Sequence, residues 1–328
     1  MAQPTNTFSY YDAKGVREDL SELIDRTERE ETPFYSNIGR GKATQRIHEW
    51  QTQALASAID TNAVIEGDDA TMDAATATVR VNNRTQIADK TATVTGSVEV
   101  FDKAGRASEM DYQVILKGLE LKRDVEYQLL SNKASVAGTD TQASQSGGFA
   151  AWLVTNVSMN TAATGTAGAN GGFASSTSLV AARTDASATR QFSESHINDV
   201  MELAFTTGAR PTVMQLPPGL KTRFSAFTGI AELRREAGGD GQATIVGGAD
   251  AYISNFGKLT VVPSPFMRSI DVVLYDPKKV KLAVARPMRT WDLAKTGDTE
   301  KKQLLLEYTL QVDNEKAHAL ITDVAKTT

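Results

Sequence analysis

The stretch from Lys42 to Val100 constrains the fold of this chain more than any other, because it holds two long strand-like segments too polar to build a core between themselves. From Lys42 to Ala58 and again from Thr76 to Val100 the residues are rich in Thr, Val, Ile and Gln. Val79 and Val81 alternate with Arg80 and Asn82, and Val94, Val98 and Val100 recur among polar neighbours, with Gly96 reading as a bulge or kink. Between the two segments lies an acidic turn, Glu66-Gly67-Asp68-Asp69. Strands of about 20 residues would reach ~65 Å at ~3.3 Å per residue. A two-stranded ribbon is marginal at best in water. A long polar hairpin therefore implies a second surface for it to lie on.

The residues on either side carry a mixed α+β pattern. Val16, Leu20, Leu23 and Ile24 form one apolar stripe over Val16–Glu30, a polar helix that Pro33 ends and that also needs a partner. Ser108-Glu109-Met110-Asp111 reads as a helix start, and Val114, Ile115, Leu119, Val125, Leu129 and Leu130 continue as an apolar face, giving a rod of ~37 Å for about 25 residues. Polar, small-residue stretches over Thr139–Gly148 and Asn160–Ser178 flank an apolar island, Phe149–Val157, which predicts surface loops around one buried piece. Ser193-Glu194-Ser195-His196 opens a helix that Gly208 closes. Pro211–Leu216 reads as a strand and Leu220–Glu236 as largely helical. The last third is strand-rich, with Asp271–Tyr275, Val280–Ala285, Gln303–Val312 and a short run at Ala317–Val324. The expected units are an arm over 1–40, an extended hairpin over 41–105, a long helix over 106–135, a globular block over 136–262 and returning strands over 263–328.

Composition removes several classes of function. The net charge of -5 argues against a basic nucleic-acid surface, since counterion release needs clustered Lys and Arg. The absence of cysteine excludes disulfides, thiolate metal sites and thiol nucleophiles. No apolar run approaches the ~20 residues of a membrane helix, and Met1–Tyr10 has no apolar signal core, so neither a membrane nor export is expected. The hydrophobic fraction of 41% is low for one dense core, which again points to extended parts buried on neighbours.

Local phrases resemble one family. They are Thr52–Thr71 (TQALASAIDTNAVIEGDDAT), Ala104–Glu126 (AGRASEMDYQVILKGLELKRDVE), Ala150–Asn156 (AAWLVTN), Leu282–Leu293 (LAVARPMRTWDL) and Glu307–Asn314 (EYTLQVDN). With the order arm, hairpin, long helix, globular block and returning strands, they resemble the major capsid proteins of tailed bacteriophages (Caudovirales) with the Hong Kong 97-type fold, on a podovirus-like branch. The resemblance implies an N-terminal arm, an extended loop, a spine helix, and peripheral and axial domains. It implies a structural protein and not an enzyme, self-assembling into hexamers and pentamers of an icosahedral shell. It further implies portal, scaffold or decoration partners, packaged double-stranded DNA bound without sequence specificity, assembly in the host cytoplasm and residence in the virion. On that reading the acidic tip, Glu66, Asp68 and Asp69, would meet a basic patch on a neighbour, for which Arg40, Lys42, Arg123 and Arg234 are the candidates. An encapsulin-like cellular compartment shell, or another virion structural protein, is the alternative.

No motif assembles a catalytic, cofactor or metal site. His48, His196 and His318 fall in three different pieces, and the acidic turn departs from the calcium-loop pattern. The glycines of Gly238–Gly248 lack the Gly-Lys-Ser/Thr of a phosphate loop and read as an ordinary loop. Ser193 and Ser195 beside His196 are better explained as a helix start than as a nucleophile and base. Lys90 and Asn314 have the residue types of an inter-subunit isopeptide link known in this fold, but a lone strand lysine is normally a solubilising edge residue.

Overall fold

The computed structural model describes residues 29–70, 72–161, 166–227 and 250–327. The helix expected over Val16–Glu30, the loop Gly238–Gly248 and Arg234 therefore lie outside the described residues, apart from the helix's last two positions.

The first part of the chain is organised by one long helix lying on a sheet. A single-turn helix α1 (Pro33–Asn37) leads into strand β1 (Gly39–Lys42). Strands β2 (Ile47–Thr52) and β3 (Val79–Arg84) form an antiparallel ribbon, in register from Ile47 opposite Arg84 to Thr52 opposite Val79. The ladder thus covers six residues per strand, roughly 20 Å, and is far shorter than expected. Residues 53–78 make no ladder among the described residues. Among the described residues the apolar side chains of this stretch are exposed and pack on no second layer, and only scattered side-chain hydrogen bonds such as Gln53 to the Thr76 carbonyl link its two sides. The second strand also breaks at Thr85, so that β4 (Gln86–Thr95) leaves the ribbon for a different sheet. Gly96 is not a bulge; it opens a short helix, α2 (Gly96–Val100).

Helix α3 (Glu109–Leu129) starts where the sequence predicts. Ser108 caps it, its hydroxyl accepting from the Asp111 amide at 3.2 Å, and Glu109 and Asp111 sit in the positive first turn. Its buried stripe is Met110, Leu121, Val125 and Leu129, with Val114 half-buried. Ile115, expected on that face, is exposed, because it sits one residue (about 100°) round from Val114. Glu126, expected on the polar side, is completely buried.

The apolar island is buried as expected. Helix α4 (Phe149–Trp152) is covered at all four residues and runs on to β5 (Val157–Ser158). Gly148 lets it tuck under the end of α3, since a Cβ there would collide with the Ser131 carbonyl. The surrounding loops carry a small hairpin, β6 (Gly172–Ala174) with β7 (Leu179–Ala181), and β8 (Arg190–Gln191). Helix α5 (Glu194–Thr206) is closed by Gly208 at φ +84°. Strand β9 (Val213–Leu216) follows, then α6 (Pro218–Phe224); the part of the expected helix from residue 228 to Glu236 lies outside the described residues.

The remaining strands are β10 (Ala251–Ser254), β11 (Gly257–Pro263), β12 (Val272–Tyr275), β13 (Val280–Asp292), β14 (Thr299–Val312), β15 (Ala319–Ile321) and β16 (Val324–Ala325). They complete two sheets. One has the order β1-β13-β14-β4, and α3 packs on β4 and β14. The other has the order β10-β11-β9-β12-β15-β5. Residues 263–328 contribute to both. Strand β13 runs past the expected Ala285 because register shifts between Val284 and Arg289 accommodate Pro287, which cannot donate to a ladder.

Two main apolar cores correspond to the two sheets. Leu121, Val125, Leu129, Leu304, Leu306 and Tyr308 join α3 to the first sheet, with Phe34, Phe149 and Tyr275 clustered beside them. Ile197, Val200, Met214, Leu259, Leu274 and Ile321 join α5 to the second.

Candidate assembly surfaces

The ribbon is fastened to the body by a set of specific polar contacts. Asn83 is buried at its root. Its amide donates to the Leu310 carbonyl at 2.8 Å and to the Ser146 hydroxyl at 3.1 Å, and its carbonyl accepts from the amides of Gly147 and Arg84, both at 2.9 Å. His48 Nε2 lies 2.8 Å from Gln311 Oε1, and the Trp50 ring packs 5.4 Å from that of Trp152. Thr85 donates to Glu307 at 3.2 Å.

Beyond this firm root the chain presents apolar side chains to solvent. Leu55 is 97% exposed and Met72 100%, and Ile59, Val64 and Ile65 are also exposed. Burying an aliphatic side chain contributes about 1.5–3 kcal/mol. Five such residues represent roughly 7–15 kcal/mol per copy, before the cost of association. At the tip Gly67 takes φ +85°, and Asp68 closes a turn onto the Ile65 carbonyl. Glu66, Asp68 and Asp69 are exposed, with no ion pair among the described residues.

The expected basic partners are not equivalent. Arg40 and Lys42 are alternate, exposed residues of β1 and so share one face. Arg40 is occupied locally, donating to the Tyr35 carbonyl at 2.8 Å with its guanidinium 3.9 Å over the Tyr35 ring. Arg123 lies 5.4 Å over the Phe266 ring, in a cleft it shares with Lys90, Asp124 and Tyr127. Lys90 is paired with Asp124 at 2.7 Å, and Asn314 caps the turn at Lys316.

The histidines serve three separate structural purposes. Besides His48, His196 Nδ1 accepts from the Ser193 amide at 3.3 Å in the cap of α5, which accounts for the Ser193/Ser195/His196 grouping. His318 is fully buried against Phe149; its Nδ1 faces the Asp276 amide at 3.3 Å, and burial pushes its pKa down to about 4. Among the described residues no three His, Asp or Glu side chains are grouped so as to hold a metal ion, and no helix is long and apolar enough to cross a membrane.

Two buried polar clusters tie together residues far apart in the sequence. Arg183 and Asp271, both buried, pair at 3.1 Å, and Arg268 binds both Asp271 (2.9 Å) and Asp185. Thr322 donates to Asp271 at 2.8 Å. The ring ties the loops before α5 and β12 to Thr322, the residue that follows strand β15. The other cluster surrounds Glu126, whose two oxygens accept the amides of Phe34 (2.9 Å) and Tyr35 (2.6 Å), while Gln215 of β9 donates at 3.4 Å.

The family model described as SU10 major capsid protein matches residues 3–325. The major capsid protein of Escherichia phage Phieco32 is 39% identical over 145 residues, which is 44% of this chain and 40% of that protein. Among solved structures, a chain from Mycobacterium phage Cain superposes with a TM-score of 0.59 at 10% identity, covering 96% of this chain and 98% of its own. The capsid of a native GTA particle gives 0.57 at 12% identity, with 96% and 98% covered. The fold is the Hong Kong 97-type α+β fold of phage capsids.

Proposed function

Because the chain belongs to the SU10 major capsid protein family, we propose that it is the major capsid protein of a phage, a shell subunit that closes only with other copies of itself. The observation that carries this reading is the exposed apolar segment 53–78, held out from the body on a root that is buried and hydrogen-bonded. A segment that leaves its apolar side chains exposed, on a buried and hydrogen-bonded attachment, is suited to an obligate interface, of the kind that exceeds ~2,000 Å². Copies related by rotation close into rings through such heterologous contacts.

In this reading the rings are hexamers and pentamers of an icosahedral head, assembled in the host cytoplasm and carried in the virion. The head encloses double-stranded DNA without sequence-specific contacts, alongside portal, scaffold or decoration proteins. The subunit itself is structural and performs no catalysis. The acidic tip meets a cationic face of a neighbour; Lys42, exposed on β1, fits that face better than Arg40, which already braces Tyr35.

The test replaces residues 53–78 with a short Gly-Ser linker across the ends of β2 and β3. The shortened subunit should remain folded and soluble while forming no closed shells in negative-stain micrographs. Normal shells from it would refute the reading. A cellular compartment shell shares the architecture, and nuclease-protected DNA in purified particles separates a phage head from it.

A further inference from the structure

Helix α1 starts without help from its own residues. Thr32 at its cap makes no side-chain hydrogen bond, and Pro33 fills the first turn. The amides of Phe34 and Tyr35 are satisfied instead by Glu126, more than 90 residues further along the chain. The carboxylate thus does the work of an N-cap from a different helix. It joins three parts of the molecule at one point: the root of the N-terminal segment, the long helix α3, and strand β9 through Gln215.

Among the described residues no cation completes this cluster. Around Glu126, α1 provides Phe34 and Tyr35, β9 provides Gln215, the residue after β11 provides Ser264, and β12 provides Tyr275. Tyr275 stays neutral, its phenol pushed up by burial, and it accepts from Asn37 at 3.2 Å. On α3 itself the neighbouring charges are engaged outside the cluster or exposed: Arg123 lies on Phe266, Asp124 pairs with Lys90, and Lys122 is exposed. Arg40 is held on Tyr35. Burial raises the Glu126 pKa, and the amide hydrogen bonds oppose that rise without a compensating positive charge.

The neutral acid also has partners at hand. Gln215 Oε1, on the amide whose nitrogen reaches the carboxyl, is buried with no hydrogen-bond partner, and the Ser264 hydroxyl is buried close to the carboxyl. An ionised Glu126 is a pure acceptor and suits the α1 amides; a protonated one gains an O–H donor that needs an acceptor such as Gln215 Oε1. We propose that Glu126 is a protonation-operated latch: ionised, it clamps the root of the N-terminal segment onto α3, and neutral, it turns to β9 and lets that root go. The two arrangements exchange hydrogen bonds inside one buried cluster and need no new ligand.

The experiment is hydrogen exchange by mass spectrometry on the full-length chain, from about pH 8 to about pH 4.5, corrected for the intrinsic pH dependence of exchange. The readout is the peptide spanning residues 32–38, with residues 194–206 of α5 as the control for global opening. In the wild type, corrected exchange of 32–38 should rise about tenfold or more as pH falls, while α5 stays protected. Glu126→Gln should show the fast exchange at every pH. A wild-type profile that is flat, or that rises only together with α5, overturns the proposal even if Glu126→Gln fails to fold. So does a folded Glu126→Gln protein whose profile coincides with the wild type.

Discussion

Replacing Asn83 with alanine tests whether the ribbon is held by its root or merely emerges there. In the folded chain Asn83 is 1% exposed, and its side chain spends both ends on other parts of the body. Its carbonyl takes the Gly147 amide at 2.9 Å and its amide reaches the Leu310 carbonyl at 2.8 Å and Ser146 at 3.1 Å. The substitution strands the buried Gly147 N–H, at about 1–3 kcal/mol, and removes the other bonds at about 1 kcal/mol each. The sum is about 3–5 kcal/mol, a large share of the 5–15 kcal/mol that keeps a typical domain folded. Urea unfolding of dispersed subunits should show that loss as a lower midpoint with an unchanged slope. Hydrogen exchange should locate it at residues 79–84 and 145–148. Particle yield should fall further than subunit stability alone requires, because a loose root no longer aims residues 53–78. A variant within 0.5 kcal/mol of the wild type would mean that the ribbon is held by the Trp50–Trp152 packing and the His48–Gln311 contact, and the argument from Asn83 would be wrong.

Three further outcomes follow from buried groups. Asp271→Ala removes the fully buried one of the two carboxylates that Arg183 pairs with, leaving it only the part-exposed Asp185, and should cost up to about 3–5 kcal/mol in thermal or urea unfolding, whereas the exposed pair Arg80–Glu49 should cost under about 1 kcal/mol when broken. Val125→Asp puts an unpaired charge where α3 meets the first sheet; it should send the subunit to the insoluble fraction on expression, while Ile115→Asp on the exposed face should stay soluble. His318 has a folded pKa of about 4 against an ordinary 6.5, so between those values the unfolded chain binds the extra proton. Stability from this residue is therefore complete above about pH 6.5 and declines as pH falls towards 4, by about 3 kcal/mol in all. The difference in unfolding free energy between wild type and His318→Gln, followed across pH, should show that slope.

What the sequence made legible is what periodicity and local chemistry encode. Ser108 with Asp111 marked the start of α3 because a cap is a bond between near neighbours, and Phe149–Val157 stood out as buried because it opens on an unbroken apolar run, Phe149–Val154. The ribbon was over-read. Thr- and Val-rich residues favour extended backbone, but a ladder also needs a surface beneath it, and composition does not say whether one exists. The polar joints were invisible for a related reason: Glu126, Asn83 and Arg183 bond to residues 92, 227 and 88 positions away, and a buried carboxylate reads in one dimension like a solvated one. Glu126 did leave one mark. It falls seven residues after Leu119 and four before Leu130, on a line of the helix where leucines repeat, and a charge on such a line either points to a partner or unfolds the helix end. Here the partner is the first turn of α1. Glu126, read with the polar side of α3, is the residue that fixes where α1 joins the body.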